Sequence, residues 1–343
     1  MKNKKIKTPI RIAVLGYGRW GPFIVNNLVR NKGFKVVLVV DKDKKRRDSF
    51  RRKFPNIKCS GKIKDSFSNS CDAVAVSLPV KLHFKVVCDA LNVGKHVFCE
   101  KPLVRTFKEA EILVDLAHKN KKVLFTDYTL IYSREAKYFK KVLNSKKEKV
   151  QIVDIRRLSY GIFRKDVDVI YDLAPHDTAL LLYWFGLPKK VFAVGKTHIN
   201  KKILDDVFLV IVYEDGLIAQ IHVSWLYPKK IRDIIIVTNN KMLTYDDLKT
   251  INKIEIIKKT EGLGGTLKPG FPSTLNNSIY KYTNNKIYRP NIPRNEPLSE
   301  ACSQFLSRII KGRYADGEMD LAVSKILEAY EESLRKKSFI NIY

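Results

Sequence analysis

The chain has 343 residues, 45% of them hydrophobic and 29% charged, with 16 Gly and 13 Pro, which excludes collagen-like, low-complexity and wholly disordered classes and sets a prior of about two domains. Lys and Arg outnumber Asp and Glu by 65 to 35, a formal net charge of +30, spread over Lys2–Lys7, Lys42–Lys53, Lys137–Lys149 and Lys253–Lys259 with no nucleic-acid motif beside it; it reads as a solvated basic surface, compatible with anionic small ligands, and no specific nucleic-acid partner is expected. No run of about 18 uncharged apolar residues occurs and no signal-length apolar core follows the basic start, so the expectation is a soluble, cytoplasmic protein with no membrane span.

Arg11–Leu15 is a short apolar run ending at Gly16, and the spacing of Ile24, Val25, Leu28 and Val29 predicts a helix over Pro22–Arg30. The β-branched run Val36–Val40 suits a parallel strand buried on both faces. Ala73–Val76, His96–Cys99 and Val123–Phe125 continue the strands, separated by helices over Leu82–Val93 and from the capping box at Thr106 to about Lys119. Such alternation predicts a doubly wound parallel sheet over residues 1–125. Its first loop, Gly16-Tyr-Gly18-Arg-Trp-Gly21, follows a strand, opens a helix, and is followed 20 residues after Gly21 by Asp41 at the end of the second strand. That context predicts dinucleotide binding, with pyrophosphate over the glycines and the helix N-terminus, and ribose hydroxyls on Asp41. An acidic strand end favours NAD; the basic Lys42–Arg47 run leaves NADP possible.

Beyond residue 125 β-rich segments dominate, at Val150–Leu158, Val191–Thr197, Val207–Val212, Leu217–Trp225, Ile231–Val237 and Ile251–Ile257. One strong helix, Asp172–Phe185, interrupts them. Residues 262–297 read as a long loop, and helices over Leu298–Ile310 and Asp320–Arg335 end the chain. Residues 126–343 are thus expected to form an α+β substrate domain on a large, mainly antiparallel open sheet. Five cysteines in no ligand spacing read as reduced thiols, and no metal site is predicted.

The order glycine loop, Asp41, Ser77-Leu-Pro79 with His83, Gly94-Lys-His-Val-Phe-Cys-Glu100-Lys101-Pro102, Asp172-Leu-Ala-Pro175-His176-Asp177 and Ser224-Trp-Leu-Tyr-Pro228-Lys-Lys230-Ile-Arg232 resembles the glucose–fructose oxidoreductase / inositol dehydrogenase (Gfo/Idh/MocA) family. The last two blocks resemble its branch acting on nucleotide sugars in surface-polysaccharide pathways. The resemblance implies a Rossmann domain joined to a C-terminal α/β domain with a large open sheet, and NAD(P)-dependent chemistry on a sugar or polyol carbon. The uncovered face of such a sheet, with apolar residues in both alternating sets of segments such as Leu217–Trp225, predicts a homodimer or homotetramer. With it the coenzyme set becomes Gly16, Gly18, Arg19, Trp20, Gly21, Asp41, Ser77, Pro79, His83, Glu100 and Lys101. The chain departs from many relatives in carrying Thr126-Asp127 where they have Gly-His.

Hydride transfer from a carbinol leaves a proton to remove and a developing alkoxide to stabilise. Lys101 places a cation at a strand end beside the nicotinamide. Asp172 and His176, four apart on one helix face, supply a proton acceptor and a residue that orients it or touches a sugar hydroxyl. Pro175 is expected in a first turn, which would set this pair at a helix mouth. Tyr132, Tyr160, Arg164, Lys230 and Arg232 are candidate substrate contacts, Arg164 and Lys230 suiting a diphosphate; a plain basic surface is the alternative for each. Three functions stay open: a nucleotide-sugar oxidoreductase, a dehydrogenase of free polyols or cyclitols, and a non-catalytic NAD-binding regulator.

Overall fold

The computed structural model describes residues 8–145, 148–161, 163–164, 166–258, 287–314 and 317–343. Its first half alternates β1 (Ile10–Leu15), α1 (Gly21–Arg30), β2 (Phe34–Val40), α2 (Lys44–Lys53), β3 (Lys58–Ser60), β4 (Ala73–Val76), α3 (His83–Asn92), β5 (His96–Glu100), α4 (Phe107–Lys119) and β6 (Leu124–Asp127). The six strands form one parallel sheet in the order β3-β2-β1-β4-β5-β6, the doubly wound arrangement expected. Strand order reverses between β1 and β4, and the crevice outside the carboxyl ends there is where such sheets bind ligands. Gly16, Asp41, Ser77 and Lys101 each directly follow one of those ends.

The second half runs α5 (Arg134–Leu143), β7 (Val150–Leu158), α6 (Val169–Phe185), β8 (Lys190–Lys196), β9 (Asp206–Val212), β10 (Ile218–Ser224), β11 (Ile231–Thr238), β12 (Lys241–Asp246), β13 (Ile254–Lys258), β14 (Ile287–Tyr288), α7 (Pro297–Lys311), α8 (Glu318–Lys336) and β15 (Ile340–Asn341). Its nine strands are ordered β14-β13-β12-β11-β7-β10-β9-β8-β15. Among the described residues only β7 and β10 pair in parallel in this sheet; the other pairs are antiparallel. Buried α6 and α8 side chains such as Leu180, Trp184 and Leu327 share a core with Val153, Ile155, Ile221 and Ile236 of this sheet. Within the predicted loop 262–297, residues 262–286 lie outside the described residues. No described helix is long and apolar enough to cross a membrane.

Three features differ from the expectation. α2 buries only Phe50 and therefore shows no apolar stripe; Asp43 starts it by accepting from the Lys45 and Arg46 N–H groups. α5 is likewise basic and opens on the Ser133 cap. α7 belongs to the second half in sequence but packs on the first sheet. Its Phe305 is fully buried, 5.9 Å from Phe34, 5.7 Å from Phe98 and 5.8 Å from Phe125, so the C-terminal segment completes the coenzyme domain's core.

Candidate active site

Gly16 has φ +97°, and a Cβ there would stand 2.2 Å from the Ser77 carbonyl oxygen; a Cβ on Gly21 would stand 2.2 Å from that of Gly16. Neither position has room for a side chain. The α1 N-terminus carries no side-chain cap and no acidic residue in its first turn, so its positive partial charge is uncompensated. Arg19 and Trp20 are exposed beside it. Asp41, 6% exposed, accepts from the Tyr17 N–H at 2.7 Å and the Asp43 N–H at 2.8 Å. Arg46 stands 3.6 Å from the same carboxylate, and its guanidinium lies 3.3 Å from a Cβ built on Gly18. A side-chain-free cradle, an uncompensated helix terminus and an acidic strand end fit a dinucleotide.

His83 is enclosed, 1% exposed, with Nδ1 3.0 Å from the Pro102 carbonyl oxygen and Nε2 2.8 Å from that of Leu78. It ties the segment after β4 to the segment after β5, and burial depresses its pKa. Pro79 opens the helical turn Val80–Leu82 that leads into α3. The Lys101–Pro102 peptide bond is cis.

Lys101 leaves the first sheet and reaches the second domain, where its Nζ donates to the Asp172 carbonyl oxygen at 2.5 Å. Burial lowers the Lys101 pKa, while the Asp172 and Glu100 charges oppose that shift. The Asp172 carboxylate accepts from Arg164 at 3.2 Å and from the Trp225 indole N–H at 3.3 Å. One turn on, His176 has a buried Nδ1 with no partner. Burial holds its pKa well below 6.5, and the cations of Lys101, Arg157 and Arg232 add to the effect. The imidazole is therefore neutral at neutral pH.

The helix-mouth expectation is overturned. α6 starts at Val169, with Asp168 accepting from the Tyr171 N–H, and Pro175 lies inside the helix. Val169, Ile170 and Tyr171 are almost wholly buried, and their packing extends the helix before the proline although Pro175 offers the Tyr171 carbonyl no N–H.

Arg157 was not among the sequence candidates. It is 7% exposed and grips Asp177, 0% exposed, through two bonds of 2.7 and 2.6 Å. Arg232 is its register partner on β11, 3.6 Å from Asp247. Lys230 is near enough to Arg232 for that cation, followed by burial, to lower its pKa; Arg19 and Arg157 act on it in the same direction. Strand alternation was the available signal, since Arg157 shares the core-facing set of β7 with Val153 and Ile155. Of the other candidates, Arg164 is paired with Asp166 and Asp172, which makes it a brace for Asp172. The Tyr132 ring stacks on Phe125 at 5.6 Å in the first core, and Tyr160 is exposed against Phe163.

Two family models match the chain. One, described as an oxidoreductase family with an NAD-binding Rossmann fold (GFO/IDH/MocA), covers residues 10–128, and the GFO/IDH/MocA C-terminal domain covers residues 163–243. An uncharacterized oxidoreductase of Schizosaccharomyces pombe is 31% identical over 184 residues, which is 48% of this chain and 48% of that protein. A myo-inositol 2-dehydrogenase of Thermotoga maritima is 25% identical over 235 residues, 62% of this chain and 67% of that one. The match thus spans about half the length of the fission-yeast relative. In fold, the chain is similar to the UDP-N-acetylglucosamine 3-dehydrogenase of Acidithiobacillus ferrooxidans, with a TM-score of 0.78 and 21% identity over 95% of this chain and 98% of that one.

Proposed function

Because the chain belongs to the GFO/IDH/MocA oxidoreductases, with an NAD-binding Rossmann domain and the family's C-terminal domain, we propose that it transfers a hydride between a nicotinamide coenzyme and a carbinol or carbonyl carbon of a sugar carried on a nucleotide, as in surface-polysaccharide synthesis. The observation that carries the chemistry is that Lys101, just past the carboxyl end of β5, donates to the Asp172 carbonyl oxygen one turn before His176 and acts with its charge on that imidazole. The bound coenzyme supplies the hydride acceptor or donor. Lys101, aimed by the Asp172 carbonyl oxygen, places positive charge where the carbinol oxygen becomes negative. His176, kept neutral by burial and by nearby cations, takes the hydroxyl proton in oxidation and returns it in reduction. The Asp172 carboxylate, held by Arg164 and Trp225, fixes the turn of α6 that carries both contacts.

The nucleotide part rests on charge. Lys230 and Arg19 lie near Arg232 and Arg157, whose own charges are met by Asp247 and Asp177, and a diphosphate answers the two outer cations where a free cyclitol has nothing to offer. The likeness to a UDP-N-acetylglucosamine 3-dehydrogenase supports this reading and that to a myo-inositol dehydrogenase supports the polyol reading. The experiment is a thermal-shift and turnover panel on coenzyme-saturated protein, comparing UDP-, GDP- and dTDP-sugars with inositols. Turnover of an inositol with no response to any nucleotide sugar overturns the nucleotide part. Coenzyme binding with no oxidation or reduction of either class leaves a non-catalytic NAD-binding protein.

A further inference from the structure

Glu100 ends β5 and Asp127 ends β6, and the two are direct partners in the parallel register. Neighbouring strands run about 4.8 Å apart, so side chains of register partners leave the sheet side by side on the same face. Both carboxyls are buried, 8% and 1% exposed, and each has an oxygen, Glu100 Oε1 and Asp127 Oδ1, that is fully enclosed and without a hydrogen-bond partner. Two ionised carboxylates cannot share such a place; a single proton between them removes the repulsion and supplies the missing bond.

We propose that Glu100 and Asp127 hold one proton in common at neutral pH, forming a buried acid pair of net charge −1 that sets the charge state of the adjoining Lys101. The groups around the pair agree with this. Lys101 is the cation acting on both carboxyls, and burial raises the pKa of each, Asp127 also through the charge of Glu100. The Thr129 hydroxyl opposes the shift on Asp127. α7 brings Cys302 and, just before its start, Glu296 toward the pair, and its Arg308 lies over the Phe125 ring of β6 at 4.9 Å; the Cys302 thiol is itself pushed up by burial and by these acids. Cys99, on the other face of β5, is buried and neutral. The pair titrates as one unit. When it loses its second proton in alkali it becomes −2 and holds the Lys101 proton more tightly; without Asp127 that reinforcement is gone. Glu100 and Asp127 are positioning residues in this scheme.

The test is infrared spectroscopy of the intact protein in deuterated buffer at neutral pH, which needs no substrate. Wild type is expected to show the carbonyl stretch of a protonated carboxylic acid. Asp127→Asn and Glu100→Gln should each weaken it, because the remaining carboxyl, still raised by burial but beside Lys101 and freed of its partner's charge, ionises more readily. Asp320, another buried carboxyl pushed up to about 6, is controlled by Asp320→Asn, which should leave the band in place. Absence of the band from wild type, or its full survival in both single variants, overturns the proposal. The kinetic arm rests on the function proposed for Lys101. In Asp127→Asn the alkaline limb of the oxidation rate should move to lower pH by about one unit, equivalent to about 1.4 kcal/mol, whereas a merely structural defect would lower the rate without moving the limb. An infrared band that behaves as stated together with an immobile limb rejects the link to Lys101 and leaves the shared proton standing.

Discussion

Lys101 and His176 divide the proposed work unequally, and substitution separates them. Lys101→Met removes the charge that meets the developing alkoxide, and turnover should fall on the order of 100- to 1,000-fold at every pH. His176→Ala removes the proton acceptor and should cost on the order of 100- to 10,000-fold. Because burial and three cations hold the His176 pKa well below 6.5, the imidazole is unprotonated through the neutral range. The oxidation rate of wild type should then stay level as the pH falls through 6.5 and decline only under stronger acid, and His176→Ala should lack that acid limb. Stopped-flow transfer at saturating coenzyme checks both variants; near-wild-type rates for Lys101→Met would remove the catalytic assignment. NAD should still bind each variant, since the loop and Asp41 are untouched.

Two elements carry further predictions. Where β2 meets α2, Asp41 is already engaged by the Tyr17 and Asp43 N–H groups, so it shapes the loop besides the ribose contact proposed for it. Asp41→Ala should weaken NAD by about 1–3 kcal/mol and NADP less, because Arg46, released from its carboxylate, can meet a 2′-phosphate. Arg46→Ala should weaken NADP and spare NAD. Calorimetric titration measures all four pairs, and wild-type protein binding NADP tenfold tighter than NAD would overturn the role given to Asp41. Where α6 crosses β7, Asp177→Asn leaves Arg157 buried without its counter-charge, which should cost about 3–5 kcal/mol of folding stability in denaturant titration. Replacing both partners with apolar residues should recover much of the loss, because it removes the stranded charge.

At the scale of the molecule, α6 and α8 cover one face of the nine-stranded sheet, and no described helix covers the opposite face. Ile152 and Ile218, register partners, are 54% and 52% exposed, and Phe208 and Val194 stand on the adjoining strands. Arg156–Asp233 and His222–Asp206 pairs surround them. An apolar strip of this kind with paired charges around it suits a second copy of the same chain. Light scattering at micromolar concentration should give a dimer or a dimer of dimers, and Ile218→Lys with Phe208→Lys should yield monomers. A wild-type monomer would remove the prediction.

Local physics made the first domain legible. A strand buried on both faces must be continuously apolar, a turn at positive φ demands glycine, and an acidic residue ending the second strand completes a coenzyme pattern readable within about 30 residues of chain. Lys101 was singled out by its place just past a strand end, and Asp172 and His176 by their spacing of four along one helix. α2 was not legible, since a helix that buries one side chain leaves no periodic trace, and in α5 the stripe of Ala136, Phe139 and Leu143 lay hidden in a run of Lys and Arg. Tertiary structure alone decided the rest. It placed Arg157 against Asp177, aimed Lys101 at a backbone carbonyl 71 residues away, braced Asp172 with Arg164, and set Glu100 beside Asp127. Each of these depends on which elements become neighbours after the sheets pair, and separation along the chain carries no record of it. The start of α6 shows the same limit: local preference put Pro175 in a first turn, and the burial of Val169, Ile170 and Tyr171 outweighed it.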